Sequence, residues 1–213
     1  ISGSVGDISS SSTYKLIMDF INSDAQSIAS FLSEPVQVEE IYVYMQTNYG
    51  TSVTPFYTTL ALWVGGIVLV ALMKVKVDYE DDEFKDATEH QKYMGRALLF
   101  LAMGQLQALV VVLGDLYILK IDCTHPFMLW LAAAITSFVF TLFIYTLVLT
   151  FGDLGKAIAV VMIVLQIAGS GGTYPIELLP EFFQNVYLYF PFPYAINAMR
   201  EAISGLYQCD YAV

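Results

Sequence analysis

The chain has 213 residues, 57% of them hydrophobic and 14% charged, with a mean hydropathy of +0.61. Soluble domains average about 45–50% apolar and about 25% charged residues, so this balance points to an integral membrane protein. A net charge of −11 argues against nucleic acid as a partner, and no run of lysines makes a polybasic lipid-binding patch.

The chain begins at Ile1 without the charged, apolar and small-residue pattern of a signal peptide, and reads as a fragment or a processed product. Residues 1–53 are mostly polar and read as the end of an extracytoplasmic domain. Ile17, Phe20, Ile21, Ile28, Phe31 and Leu32 recur at helical spacing until Pro35 breaks the pattern. Val36, Val38, Ile41, Val43 and Met45 then alternate as in a short extended segment, and Asn48 to Gly50 read as a turn. The remainder, 54–213, reads as a membrane domain.

The first span is expected at about 55–73, an uncharged stretch of crossing length. A densely charged connection, 74–96, follows it; on its residues alone it is either a solvated connector or a contact surface. The second span is expected at about 97–119 and the third at about 127–151, joined by a short link. GDLGK makes a tight turn into a fourth apolar segment, 157–169. At about 1.5 Å per residue these 13 residues cover only about two thirds of a hydrocarbon core about 30 Å thick. Gly171 and Gly172 lie in the break and Pro175 just after it. Two short helices are then expected within about 175–205. The first starts near Pro180 with Leu178, Leu179, Phe182, Phe183 and Val186 on its apolar face, Glu177 lying ahead of it and Glu181 on its polar side. The second starts near Pro193, with Ile196, Met199 and Ile203 on one face and Asn197, Arg200 and Glu201 on the other. These helices either lie in the interface or dip back into a protein-lined cavity. The expected fold is therefore an all-α membrane protein, a polytopic helical bundle with a short broken span and external re-entrant or interfacial helices.

Basic residues set the expected orientation. Lys74, Lys76, Lys85, Lys92, Arg96 and Lys156 fall on one side, and Lys15, Lys120 and Arg200 on the other. The first side is expected to be cytoplasmic, which leaves both ends of the chain extracytoplasmic. Gln105, Asp115 and Gln166 lie within spans, as does Gln107. The glutamines suit bonds between helices, and Asp115, near the end of its span, suits an interfacial or helix-end role. Cys123 and Cys209 fall together on the outer side as a candidate disulfide. No cysteine and histidine spacing suggests a metal, no Walker A sequence is present, and no nucleophile stands with a base in a supporting motif, so neither a cofactor nor an enzyme is expected.

Four stretches carry a resemblance: NYGTSVTPFYTTLALWVGGIVLV, GRALLFLAMGQLQALVVVLGDLYIL, LVLTFGDLGKAIAVVMIVLQIAGSGGTYPIELLPEFFQ and PFPYAINAMREAISG. Together they resemble the YhgE/Pip (phage infection protein) family over roughly residues 34–205. The resemblance implies a bacterial plasma-membrane protein whose membrane domain is of the type-2 ABC exporter kind. It implies six spans, four of them present here, with the chain ending before the last. It implies a permease-like subunit that moves an amphipathic or cell-envelope molecule, works as a homodimer, and meets a cytoplasmic ATPase through 74–96, where Asp81, Asp82, Glu83 and Lys85 stand. By the same resemblance the segment 175–205, with Gly171, Gly172, Pro175, Glu177, Pro180, Glu181 and Arg200 in or beside it, lies near a substrate exit. The family also allows another role, as a phage receptor or a type VII secretion accessory protein that binds phage or secretion-system proteins without its own transport activity.

Overall fold

The computed structural model describes residues 48–76, 88–172 and 176–205. Its elements, in order, are α1 (Tyr49–Leu72), α2 (Glu89–Leu113) continued by a π-helical turn (Gly114–Ile118), α3 (Pro126–Phe151), α4 (Asp153–Gly169), a 3-10 turn (Ile176–Leu178), α5 (Glu181–Val186), a second 3-10 turn (Tyr187–Tyr189) and α6 (Pro191–Ser204). No strand occurs among the described residues. The expected helical stretch 13–33 and extended segment 36–45 lie outside them.

Three helices, α1, α2 with its π-turn, and α3, are long and apolar enough to cross a membrane. Each begins where local chemistry satisfies the orphan backbone N–H groups of a first turn. For α1 the cap is Asn48, whose side chain accepts from the Thr51 N–H at 2.8 Å. The helix therefore starts six residues before Pro55, and the expected turn at Asn48–Gly50 is a cap plus the first helical residues. Pro55 is carried inside the helix, and the hydroxyls of Thr54 and Thr59 donate to the Gly50 and Pro55 carbonyls around it. For α2 a reciprocal box between Thr88 and Gln91 sets the start. The helix thus absorbs 89–96, residues expected in the charged connection. For α3, Pro126 occupies the first turn.

The spans run antiparallel in sequence. Between α1 and α2, Arg96 donates to the Lys74 carbonyl, Gln107 to Ala61, and Thr58 to Asp115. Between α2 and α3, Tyr93 bonds Thr146, Ser137 donates to the Gly104 carbonyl, and Gln105 donates to that of Ala134. Gln105 and Gln107 thus each bond a carbonyl of a neighbouring helix. Half of the most apolar stretch of α3 is buried within the chain, against 28% of that of α2. Accordingly α3 is central, and α2 turns Leu98, Leu106, Val110 and Leu113 outward.

Trp63 is the hub of the core. It is fully buried, its indole N–H donates to the Ala159 carbonyl of α4 at 3.2 Å, and its ring lies 4.9–5.9 Å from those of Phe140, Phe143 and Phe192. One side chain therefore ties α1 to α3, α4 and α6. The α3–α4 connection is very tight: Gly152, at φ +62°, ends α3, and α4 begins at the next residue. Gly155 then packs against the end of α3 so closely that a Cβ there would stand 2.4 Å from the Leu147 carbonyl oxygen. At 17 residues α4 is about 25 Å long, still short of the hydrocarbon core.

Candidate functional site

The break after α4 is built from three glycines with three different tasks. At Gly169 a Cβ would meet the Phe183 ring of α5 at 2.9 Å. Gly171 takes φ +65°, a conformation that favours glycine. At Gly172 a Cβ would come within 2.5 Å of Phe56 and 3.1 Å of Ile196. The chain leaves the helix and passes directly over α1 and α6, with no room for a side chain at these points.

The two helices beyond the break divide between the two expected arrangements. Helix α5 buries none of its residues; Leu178 just before it and Phe182 within it are 75% and 60% exposed, as suits a helix lying in an interface. Pro180 is its cap rather than its first residue, and Glu181 is exposed in its first turn. Helix α6 starts at Pro191, two residues before expected, and inserts. Phe192, Ile196, Met199 and Ile203 are all buried against α1 and α3. Glu201 lies about 140° round the helix from Ile196, on the expected polar face, yet it is fully buried. Both sides of the C-terminal half of α6 are therefore enclosed. Arg200 is half-buried and donates to Asn197 one turn back. The link between α2 and α3 docks on the same end: the N–H groups of Thr124 and His125 donate to the carbonyls of Ile203 and Ala202.

Buried polar groups collect toward this end of the bundle. Asp115, in the π-turn, is 7% exposed and accepts from the Thr58 hydroxyl at 2.6 Å. It is thus a buried acceptor between α1 and the π-turn that ends the second span. Gln166, three residues before Gly169, is fully buried, and neither its side-chain oxygen nor its nitrogen has a hydrogen-bond partner among the described residues. The Thr141 hydroxyl of α3 is likewise buried and unpartnered. Thr58 and Thr141 are additions to the residues read from sequence, where Glu201 stood only as one of a polar face. A threonine in an apolar helix gives no sign of its partner, and Glu201 followed the polar side of a pattern that the fold encloses.

The Asp115 pairing has a direct test. Thr58→Val keeps the shape and removes the donor, and should cost about 1–3 kcal/mol, read as a lower melting temperature in detergent. Thr58→Ser should restore most of it. If Thr58→Val melts with the wild type, the pair does not hold α1 to α2.

Cys123 is half-buried, and its thiol donates to the Ala202 carbonyl at 3.6 Å. Burial pushes the thiol above its ordinary range, against a pull from the His125 backbone and with Asp122 adding to the rise. Cys209, its expected partner, lies outside the described residues, as do Asp81, Asp82, Glu83, Lys85 and Pro175. Glu177 stands in the first 3-10 turn, with its side chain outside the description. Among the described residues no group of three or more histidines, cysteines or carboxylates gathers as a metal site. The arrangement offers isolated polar atoms inside an apolar bundle, next to an irregular backbone.

The signature of the ABC-2 type transporter family matches residues 90–203, from the first turn of α2 to the end of α6. A protein of Bacillus subtilis (strain 168), named "Uncharacterized protein YhgE", is 31% identical over 185 residues. That match covers 87% of this chain and 23% of the relative, so the chain spans about a quarter of the relative's length. No solved structure gives a significant match.

Proposed function

We propose that this chain, which belongs to the ABC-2 type transporter family, is the permease-like part of an exporter for an amphipathic or cell-envelope molecule. The observation that carries the reading is the family match, which takes in two membrane-crossing helices, the short α4 and the inserted α6. ABC-2 permeases work in membranes with a cytoplasmic ATPase. In this reading 74–96 is the ATPase contact, with Asp81, Asp82, Glu83 and Lys85 on it, and two copies of the chain form the working unit in a bacterial plasma membrane. Residues 1–53 end an extracytoplasmic domain, 54–213 belong to the membrane domain, and both ends of the chain are extracytoplasmic. The break at Gly169–Gly172 and helices α5 and α6 then border the exit. The enclosed Gln166 amide, three residues before the break, supports that placement as a buried polar group beside irregular backbone.

One experiment tests contact and orientation together. In full-length protein with Cys123 and Cys209 replaced by serine, Asp82→Cys should crosslink to a copurifying ATPase and resist an impermeant thiol reagent added from outside. Neutralising Asp81, Asp82 and Glu83 should lower substrate-stimulated ATP hydrolysis at least several-fold. External labelling at position 82 would sink the orientation. An absent ATPase, with no transport change in the neutralised protein, would favour the receptor or secretion-accessory role.

A further inference from the structure

At the end of the bundle opposite the glycine break, a pocket of about 330 Å³ opens between the end of α1 and the α3–α4 turn. One part of its wall is apolar, from Val70, Leu72, Val75 and Val148. The other part carries Lys74, Lys76 and Lys156, three of the nine cationic side chains in a chain of net charge −11. No run of basic residues in the sequence gives such a cluster; the fold assembles it from two segments 80 residues apart. Its single carboxylate among the described residues, Asp153, pairs with Lys156 at 3.0 Å but is 96% exposed, so that pair is weak and readily exchanged. The N-terminus of α4, whose cap Gly152 has no side chain to offer, also borders the pocket and favours negative charge. Lys74 and Lys76 follow the last turn of a membrane-crossing helix, so the cations stand where the hydrocarbon ends and the headgroups begin.

We propose that this pocket binds the phosphate of an anionic phospholipid, with the three lysines around the phosphate and the apolar wall along the first carbons of an acyl chain. A phosphodiester anion matches the charge, and only a lipid also uses the wall. The site is independent of the transport reading, since it needs no ATPase and no defined orientation.

The test uses the full-length protein in neutral detergent, titrated with short-chain phosphatidylglycerol, short-chain phosphatidylcholine or inorganic phosphate, with the melting temperature as readout. Phosphatidylglycerol should raise it saturably, and the effect should weaken with salt. Each lysine near a membrane surface contributes about fivefold in affinity, so Lys74→Gln/Lys76→Gln/Lys156→Gln should weaken the response about a hundredfold. Lys156→Gln alone should weaken it about fivefold, which serves if the triple variant does not fold. Lys120→Gln, at the other end of the bundle, should respond as wild type. Equal effects of phosphatidylcholine would leave only the apolar wall and overturn the proposal. Equal effects of inorganic phosphate would assign the lysines to a soluble anion and overturn the lipid. A full response in the triple variant would overturn the site. So would a wild type that answers phosphatidylglycerol only after Asp81, Asp82 and Glu83 are neutralised, because the chain's own acidic run would then be the occupant.

Discussion

Gly155→Ala should lower the melting temperature in detergent by about 6–12 °C, for about 3 kcal/mol of overpacking. The new Cβ would lie 2.4 Å from the Leu147 carbonyl oxygen and 2.8 Å from the Val148 Cα. Both are backbone atoms of the last turns of α3, and neither can rotate away. Relief requires α4 to lift from α3, and that movement pulls the Ala159 carbonyl away from the Trp63 indole. The effect should thus appear both as lost stability and as a change in tryptophan fluorescence. Gly95→Ala is the control: nothing lies within 4 Å of a Cβ there, and alanine is the better helix former. If the two variants melt alike, the close approach of α4 to α3 is not what holds the α3–α4 corner.

The second large effect concerns Trp63 itself. Trp63→Ala removes a fully buried indole from among three aromatic rings and should cost about 3–5 kcal/mol, enough to loosen α6 as well as α4. Trp63→Phe keeps an aromatic ring, and loses the bond to Ala159 with a small part of the ring volume. Within a helix that carbonyl already accepts from the backbone four residues on, so no acceptor is orphaned and the cost should be about 1 kcal/mol. Limited proteolysis after Phe190 reports α6 separately. A Trp63→Ala protein that protects α6 like the wild type would show that the Phe192 contact is incidental.

How far the sequence could be read is explained by what each signal measures. Apolar length identified α1, α2 and α3, because crossing a membrane is a composition problem. It placed the starts of α1 and α2 too late, since Asn48 and Thr88 are caps and carry their information in single side chains, ahead of the apolar run. The break at Gly169–Gly172 was legible, as three glycines in four residues announce a departure from helix. Their separate reasons were not, because Phe56, Phe183 and Ile196 come from elsewhere in the chain. For α6 the spacing of Ile196, Met199 and Ile203 gave the buried face. It could not say that Glu201 would be enclosed too, since periodicity describes one helix and enclosure depends on its neighbours. Likewise Lys74 and Lys156 are unremarkable in sequence and meet only because α4 begins on the side where α1 ends.

The insertion of α6 has a consequence for how the protein is made. Phe192 completes the ring cluster around Trp63 and Phe140, and residues 202 and 203 hold the link between α2 and α3. Yet α6 is the last of these elements to be synthesised. The three crossing helices must therefore enter the bilayer and wait with an open seat between α1 and α3 until residue 204 has left the ribosome. Insertion and closure are separate events in time, and a chain stalled before Pro191 would be integrated in the membrane but unfinished at its centre.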